Sequence, residues 1–249
     1  MVLQDYHVHT TFSDGESTME EIIIAALERG VTEIGFSDHS YTFFDRSYCM
    51  QSRDIPSYFK EAERLKAKYG GKIKILVGVE QDFYSRKSIK NYDYAIGSVH
   101  YLKVNGKYYP IDESKDSFVK TVNSVFGGDF YAACAAYFST VKKFSEKKEV
   151  GIVGHFDLIA MFNGGGVLFD ENNDRYVAAY KEAATALAGA GKIFEINTSA
   201  LRKDLRNDAY PAKKIREFIK SIGGKFILSS DSHKKEDLLF GFERLESEL

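Results

Sequence analysis

Hydrophobic positions along the chain switch repeatedly between strand-like and helix-like spacing. Short apolar segments predict seven strands, at 2–9, 31–37, 73–79, 93–99, 150–154, 192–197 and 225–230. Apolar residues spaced three and four apart predict helices between Ser17 and Gly30, at 55–69, 114–147 and 173–190, and from Pro211 to Gly223. A capping box, with Ser17 at the N-cap and Glu20 at N3, starts the first helix. Alternating strands and helices indicate an α/β fold with a parallel sheet, and seven such units predict a closed or nearly closed barrel.

The residues that carry chemistry fall at the carboxyl ends of the predicted strands. All six histidines of the chain lie at such ends: His7, His9, His39, His100, His155 and His233. Because the carboxyl ends of barrel strands converge on one mouth, residues far apart in sequence are expected to meet there. Two aromatic-rich segments, 41–53 and 101–113, are expected to be loops over that mouth.

These strand ends predict a metal centre. His7 and His9, two residues apart on a strand, project to the same face and can hold one ion. The candidate ligands are His7, His9, Asp14, His39, Glu80, His100, His155, Asp231 and His233. Their number exceeds what one divalent ion binds and predicts two or three ions, and the mixture of imidazole and carboxylate favours zinc, manganese or iron over calcium.

Several of these residues also have an ordinary structural interpretation when each is taken alone. Asp14 is typical of a turn, Glu80 of a buried ion pair, and the Asp38-His39 pair of a capped turn. Asp82 and Asp157 are expected to support the site or the fold. Glu195 is expected to hold the site in place without binding metal.

Composition narrows the range of partners. The net charge of −2 provides no long-range field to attract nucleic acid. No apolar stretch is long enough to span a membrane, and residues 1–10 are too polar for a secretory signal. The two cysteines, Cys49 and Cys134, form no disulfide framework and predict a reduced, cytoplasmic protein. We expect residues 1–249 to form a single domain, and the sequence predicts no oligomeric state.

Six short motifs carry a family resemblance. They are His7-Val8-His9-Thr10, Ser37-Asp38-His39, Gly78-Val79-Glu80, Gly97-Ser98-Val99-His100, Gly154-His155-Phe156-Asp157 and Ser230-Asp231-Ser232-His233. In this order they resemble the PHP (polymerase and histidinol phosphatase) superfamily. The chain length, the spacing between His100 and His155, and segment 195–203 resemble its histidinol-phosphate phosphatase branch.

The resemblance implies a distorted (β/α)7 barrel with its active site at the C-terminal ends of the strands. It implies hydrolysis of L-histidinol phosphate, a small phosphate ester of histidine biosynthesis, by a metal-bridging hydroxide that attacks phosphorus. It also implies three ions. The first would be held by His7, His9, Glu80 and Asp231, the second by Glu80, His100 and His155, and the third by Asp14, His39 and His233. Glu80 would bridge two ions, and Asp231 or a metal-bound water would protonate the leaving alcohol.

Two further positions are expected to concern the substrate. Arg202 can bind phosphate through its bidentate guanidinium group, and its alternative is a solvated surface arginine. At position 160 the family pattern leads us to expect a basic residue, but the chain has Ala160. Either Ala160 lies in the mouth, so that a phosphate contact is missing and catalysis is slow, or it packs beneath the rim of the barrel.

Three other functions stay open at this point. A nuclease or nucleotide phosphatase of the same superfamily would need a basic groove. A protein-tyrosine phosphatase of the same fold could be distinguished from a histidinol-phosphate phosphatase only by assay. A non-catalytic metal-binding protein is less compatible with the sequence, because a full set of convergent ligands is costly to bury unpaired.

Overall fold

Seven parallel strands form one sheet in the computed structural model, which describes residues 3–249. They are β1 (Gln4–Asp5), β2 (Glu33–Phe36), β3 (Lys74–Asp82), β4 (Tyr94–Ser98), β7 (Ile152–Val153), β8 (Ile193–Asn197) and β9 (Lys225–Ser229). Their spatial order in the sheet is β1-β2-β3-β4-β7-β8-β9. All seven predicted strands are present. Val2, where the first was expected to begin, lies outside the described residues.

The two ends of this sheet meet. The His9 N–H donates to the Ser232 carbonyl at 2.8 Å, and the Ser232 N–H donates to the His7 carbonyl at 3.1 Å. The chain segments that follow β1 and β9 are thereby hydrogen-bonded to each other. The sheet is nearly closed, and the predicted (β/α)7 barrel is confirmed.

Eight α-helices accompany the strands in the described part of the chain. They are α1 (Met19–Glu28), α2 (Ile55–Tyr69), α3 (Lys115–Val125), α4 (Phe130–Lys142), α5 (Asp174–Gly189), α6 (Ser199–Arg202), α7 (Lys213–Ser221) and α8 (Phe242–Leu245). The predicted capping box is displaced by one residue, because Thr18 is the N-cap and Glu21 completes the box. Pro211 also precedes α7 by two residues and does not open it.

A two-stranded antiparallel hairpin lies outside the barrel sheet. It consists of β5 (Tyr101–Val104) and β6 (Lys107–Pro110). Segment 101–113 was expected to be a loop, and this expectation is wrong for its first ten residues. Asn105 and Gly106 both adopt a positive φ, at 49° and 79°. Asn-Gly is the preferred sequence for such a tight turn, so the signal was present.

Two large hydrophobic clusters fill the space between the barrel and its helices. One packs α1 and α2 against β2 and β3, with Ile34 and Phe36 fully buried. The other packs α4 and α5 against β4, β7 and β8, with Phe138 and Phe156 fully buried. No helix among residues 3–249 combines the length and apolarity that a bilayer crossing requires.

Candidate metal centre

The carboxylate of Glu80 lies at the centre of a cluster of imidazoles. Its Oε2 atom faces His7 Nε2, His9 Nε2 and His39 Nδ1, at 3.3, 3.5 and 2.7 Å. Its Oε1 atom faces His100 Nε2 at 3.3 Å and His155 Nε2 at 2.8 Å. Each oxygen thus faces a separate set of histidines, which is the arrangement a bridging carboxylate requires. Glu80 lies within β3 because this strand continues past the predicted end at Val79 and pairs with β4.

The two aspartates of the cluster occupy its other sides. Asp231 Oδ1 lies 3.3 Å from His9 Nε2 and 3.7 Å from His7 Nε2. Asp14 Oδ2 lies 3.6 Å from His39 Nε2 and 3.5 Å from His233 Nε2. The structure therefore brings all nine predicted ligands into one cluster.

Within this cluster, three groups have ligand atoms that lie within 4.8 Å of one another. They are His9, Asp14, His39 and His233; His7, His9 and Glu80; and His39, Glu80 and His100. The first two resemble two of the implied ligand sets. The third differs from the implied set because His39 takes the place of His155.

Several ligand atoms of this cluster lack hydrogen-bond partners. His7 Nε2 and both ring nitrogens of His9 are buried without a partner in the described structure. Buried polar atoms without a partner are costly. A divalent cation would engage these converging lone pairs, so the residues present fit a metal centre.

The charges of the cluster also suit cations. Burial alone would raise the pKa of Glu80, but the imidazoles of His39, His7 and His100 lower it well below its usual range. Burial, together with His233 and His39, lowers the pKa of His9 to about 3. At neutral pH the Glu80 carboxylate is therefore ionised and the His9 imidazole is neutral, and these are the forms that bind metal.

Buried carboxylates behind the ligands fix their orientation. Asp38, next to His39, accepts hydrogen bonds from the Thr10 N–H at 2.9 Å and from the Ser13 hydroxyl at 2.6 Å, which holds the loop that carries Asp14. Asp82 Oδ2 lies 3.4 Å from His100 Nδ1. Asp157 instead pairs with Arg206 at 3.1 Å, so it supports the surrounding loops.

A cavity of about 290 Å³ opens onto the cluster, which is small for a ligand-binding pocket. Glu80, His100, His155 and Asp231 are among the residues that line it. Segment 41–53 contributes Asp45, Ser47 and Tyr48, and segment 101–113 contributes Tyr101, Pro110, Asp112 and Glu113. Both segments therefore border the mouth, as expected. They are joined by the stacked rings of Phe44 and Tyr108, whose centroids lie 3.9 Å apart.

Comparison with known proteins agrees with this geometry. A family model described as the PHP domain matches residues 5–199. The chain belongs to the PHP domain family. The matched residues end before Asp231 and His233, yet the structure places both residues in the same cluster as the other ligands.

Relatives of this PHP chain share names and architecture. A Schizosaccharomyces pombe protein named "Probable histidinol-phosphatase" is 29% identical over 88% of this chain and 76% of its own length. A candidate histidinol phosphatase from Listeria monocytogenes superposes with a TM-score of 0.83 at 24% identity, over 97% of this chain and 99% of that one. Lactococcus lactis histidinol phosphate phosphatase, crystallised with zinc, L-histidinol and phosphate, superposes with a TM-score of 0.74 at 23% identity, over 99% and 92%. Both structures share the barrel fold.

The structure does not place Arg202 in the PHP cavity, where a phosphate contact was expected. Its guanidinium group pairs with Asp237 and donates to the Asp231 carbonyl at 2.8 Å. Arg202 thus anchors the segment that follows β9, and it is not among the residues that line the cavity. The next residue, Lys203, is the only lysine or arginine among the described residues that line the cavity, and sequence reasoning missed it.

Ala160 does not lie in the mouth. It is fully buried within a short 3₁₀ helix, Leu158–Ala160, and packs in the hydrophobic core. In a 3₁₀ helix, residues three apart share a face. Leu158 and Met161 accordingly both line the cavity, and Ala160 points away from it. The expectation that Ala160 occupies a phosphate position is therefore wrong, and the alternative of packing beneath the rim is correct.

Proposed function

We propose that this chain is a metal-dependent phosphomonoesterase that hydrolyses L-histidinol phosphate to L-histidinol and phosphate. The observation that carries the proposal is the cluster of nine candidate ligands around Glu80, which borders a small cavity. The names of the relatives and the ligands of the Lactococcus lactis structure support the choice of substrate. A narrow cavity also favours a small ester over a polymer.

We propose that three divalent ions bind this cluster, in the ligand sets that the family resemblance implies. Zinc is the first candidate because a PHP relative was crystallised with it, and manganese and iron suit the same donors. Bound ions would lower the pKa of a bound water to about 7, so that hydroxide is available at neutral pH, and would neutralise charge on the phosphoryl group. Residues 1–249 would act as one domain, because Asp231 and His233, beyond the matched region, complete the ligand set.

Two sources are open for the proton of the leaving alcohol, Asp231 and a metal-bound water. Burial would raise the pKa of Asp231, but His7 and the neighbouring imidazoles lower it well below its usual range. Its Oδ1 atom lies 3.3 Å from His9 Nε2 and 3.7 Å from His7 Nε2, so we assign Asp231 to metal binding. The source of the proton for the leaving alcohol stays open between Asp231 and water.

The residues that line the cavity suit the different parts of the substrate. Lys203 is the cation available for a phosphate oxygen. Three acidic lining residues, which we call the carboxylate wall, are Asp45, Asp112 and Glu113. It is suited to the ammonium group of histidinol, and Tyr48 and Tyr101 beside it are suited to the imidazole ring.

A substrate screen tests the proposal. Purified protein loaded with zinc or manganese would be assayed against small phosphomonoesters that include L-histidinol phosphate, phosphotyrosine and nucleotides. We expect kcat/KM for L-histidinol phosphate to exceed that for p-nitrophenyl phosphate by at least about tenfold, equivalent to about 1.4 kcal/mol. Equal values would indicate a generic phosphatase. Preference for phosphotyrosine or nucleotides would favour the corresponding superfamily activity.

The predicted absence of nucleic-acid partners and the predicted cytoplasmic location stay predictions.

A further inference from the structure

The hydroxyl group of Tyr210 is unpartnered at the wall of the catalytic cavity. Tyr210 is only 1% exposed, and its hydroxyl oxygen has no hydrogen-bond partner among residues 3–249. The side chain lines the same cavity as Glu80, His155 and Asp231. Its ring lies against the ring of His155, with centroids 6.5 Å apart.

An unpartnered buried hydroxyl is unfavourable in a folded protein. Removing a hydroxyl from water without a replacement hydrogen bond destabilises the fold, and a phenylalanine would fill the same space without that penalty. Because the Tyr210 side chain is part of the cavity lining, a bound ligand can supply the missing partner. The tyrosine is therefore better explained by ligand binding than by packing.

The position of this hydroxyl is held from two sides. The Tyr210 N–H donates to the Asn197 carbonyl at 2.9 Å, and the Asn197 N–H donates to the Tyr210 carbonyl at 2.7 Å. This pairing fixes the backbone of Tyr210 to the end of β8. The guanidinium group of Arg206 lies 5.8 Å from the centre of the tyrosine ring and is itself paired with Asp157.

The hydroxyl is also a donor rather than an anion. A tyrosine hydroxyl has a pKa of about 10 in water, so the group keeps its proton at neutral pH. A fixed neutral donor that requires no rearrangement is the kind of group that stabilises charge developing on a substrate oxygen.

We propose that Tyr210 donates a hydrogen bond to a non-bridging phosphoryl oxygen of the substrate and of the phosphate product. The location favours the phosphoryl group over the organic part, because Tyr210 packs on His155, whose Nε2 lies 2.8 Å from Glu80. The carboxylate wall lies on the other two segments that border the mouth. This inference rests on the proposed phosphomonoesterase function for its substrate, and on the orphaned hydroxyl for its residue.

The test is Tyr210→Phe in the full-length, metal-loaded protein. We expect kcat/KM for phosphomonoesters to fall about 10- to 100-fold, because the hydrogen bond strengthens in the transition state. The inhibition constant for inorganic phosphate should rise about tenfold, which is the range for loss of one hydrogen bond to a charged group. Metal content should not change, and the melting temperature should be equal or higher.

Tyr176→Phe is the matched control. Tyr176 is also 1% exposed, and its hydroxyl also lacks a partner in the described structure, but it does not line the cavity. Its substitution should leave kcat/KM and phosphate inhibition unchanged. A decrease equal to that of Tyr210→Phe would show that the effect comes from packing and would overturn the proposal.

The remaining outcomes separate this inference from the proposed function. Wild-type phosphate affinity and wild-type kcat/KM in Tyr210→Phe would overturn the role of Tyr210, and so would loss of metal from that variant. If the wild-type protein hydrolyses no phosphomonoester, the proposed function fails. In that case, calorimetry would compare the binding of inorganic phosphate to the metal-loaded wild-type protein and to metal-loaded Tyr210→Phe. Weaker binding to Tyr210→Phe would show that Tyr210 contacts the anion.

Discussion

The Nδ1 atom of His7 lies 2.7 Å from Oε1 of Glu195, a residue 188 positions further along the chain. An ionised carboxylate can only accept, so the His7 Nδ1–H must donate, and Nε2, which faces Glu80 and Asp231, is the nitrogen left to bind a metal. The other oxygen of Glu195 accepts from the His155 N–H at 3.1 Å. One buried side chain on β8 therefore orients two of the proposed ligands, as expected for Glu195.

Substituting this carboxylate should weaken metal binding while leaving the nine proposed ligands in place. We expect Glu195→Gln to lower zinc affinity about 10- to 100-fold, which is typical for partners of metal-bound histidines. Competition with a chelator measures the affinity, and excess zinc should restore much of the activity. Glu149→Gln, at an exposed position, is the control. Unchanged zinc affinity in Glu195→Gln would contradict the orienting role.

Metal binding should release protons. Burial lowers the pKa of His7, but Glu195, Asp231 and Glu80 outweigh burial and raise it well above its usual range. His39 and His100 are raised in the same way by Glu80. These raised pKa values favour the protonated rings in the metal-free protein, an ion-pair stabilisation that is lost as pH rises through them.

Because a metal binds the unprotonated ring, its affinity should increase as pH rises through those raised pKa values. At pH 7, zinc titrations should be carried out in two buffers with different ionisation enthalpies. The difference between the two binding heats should correspond to the release of at least about one proton per chain. Heats independent of the buffer would argue that the rings are already neutral. The same titration counts the ions, and a stoichiometry near one would contradict the proposal of three.

The carboxylate wall makes a separate prediction about selectivity. Asp45 accepts a hydrogen bond from the Tyr101 hydroxyl at 2.6 Å, and Glu113 accepts one from the Ser117 hydroxyl at 2.7 Å. Asp112 has no hydrogen-bond or ion-pair partner among residues 3–249, and burial raises its pKa. Asp112 is therefore the member of the wall that is available for an ammonium group.

We expect Asp112→Asn to lower kcat/KM for L-histidinol phosphate about 10- to 100-fold, because a hydrogen-bonded charge pair is lost. An ester without an amine, such as phenyl phosphate, should change by less than about twofold. Glu113→Gln, in the same wall, should affect neither ester. Equal decreases for both esters in Asp112→Asn would mean that Asp112 supports the metal centre and does not select the amine.

The alternation of elements and the strand-end histidines were sufficient to predict the barrel and the cluster. This works because parallel strands in a barrel bring their carboxyl ends together regardless of loop length. The Asn105-Gly106 dipeptide indicates a tight hairpin turn. A loop is nevertheless predicted there, because the surrounding aromatic residues are interpreted as part of a loop. The first capping box was predicted one residue too early, because Ser17 and Thr18 are adjacent and both suit an N-cap.

Features set by side-chain direction could not be predicted. Arg202 is the last residue of α6 and Lys203 follows it, yet Arg202 pairs with Asp237 and Lys203 lines the cavity. A difference of one residue rotates a helical side chain by roughly 100°, which periodicity cannot resolve in a single turn. The backbone of Asp231 adopts φ 53°, a conformation uncommon for a residue other than glycine. Nothing in the sequence around Asp231 indicates it.

The reassignment from Arg202 to Lys203 is testable with two single substitutions. Lys203→Ala should lower kcat/KM about tenfold for all phosphomonoesters, because it removes a contact to phosphate, with metal content and melting temperature unchanged. Arg202→Ala should instead lower the melting temperature and the metal affinity, because Asp237 and the Asp231 carbonyl lose their partner. The opposite pattern, a stable Arg202→Ala with weak phosphate inhibition, would return the phosphate contact to Arg202.

Position 160 gives the last prediction. An arginine in an open cavity would help to bind phosphate, but Ala160 is fully buried in the cluster that also contains Phe156 and Tyr176. Ala160→Arg would force a long charged side chain into a packed core, and we expect the free energy of unfolding to fall by at least about 3 kcal/mol. Ala178→Arg, on the exposed side of α5, should change it by less than about 0.5 kcal/mol. Denaturant melts of metal-loaded protein compare the two. A stable Ala160→Arg variant with increased kcat/KM would show that this segment turns outward and that position 160 reaches the substrate.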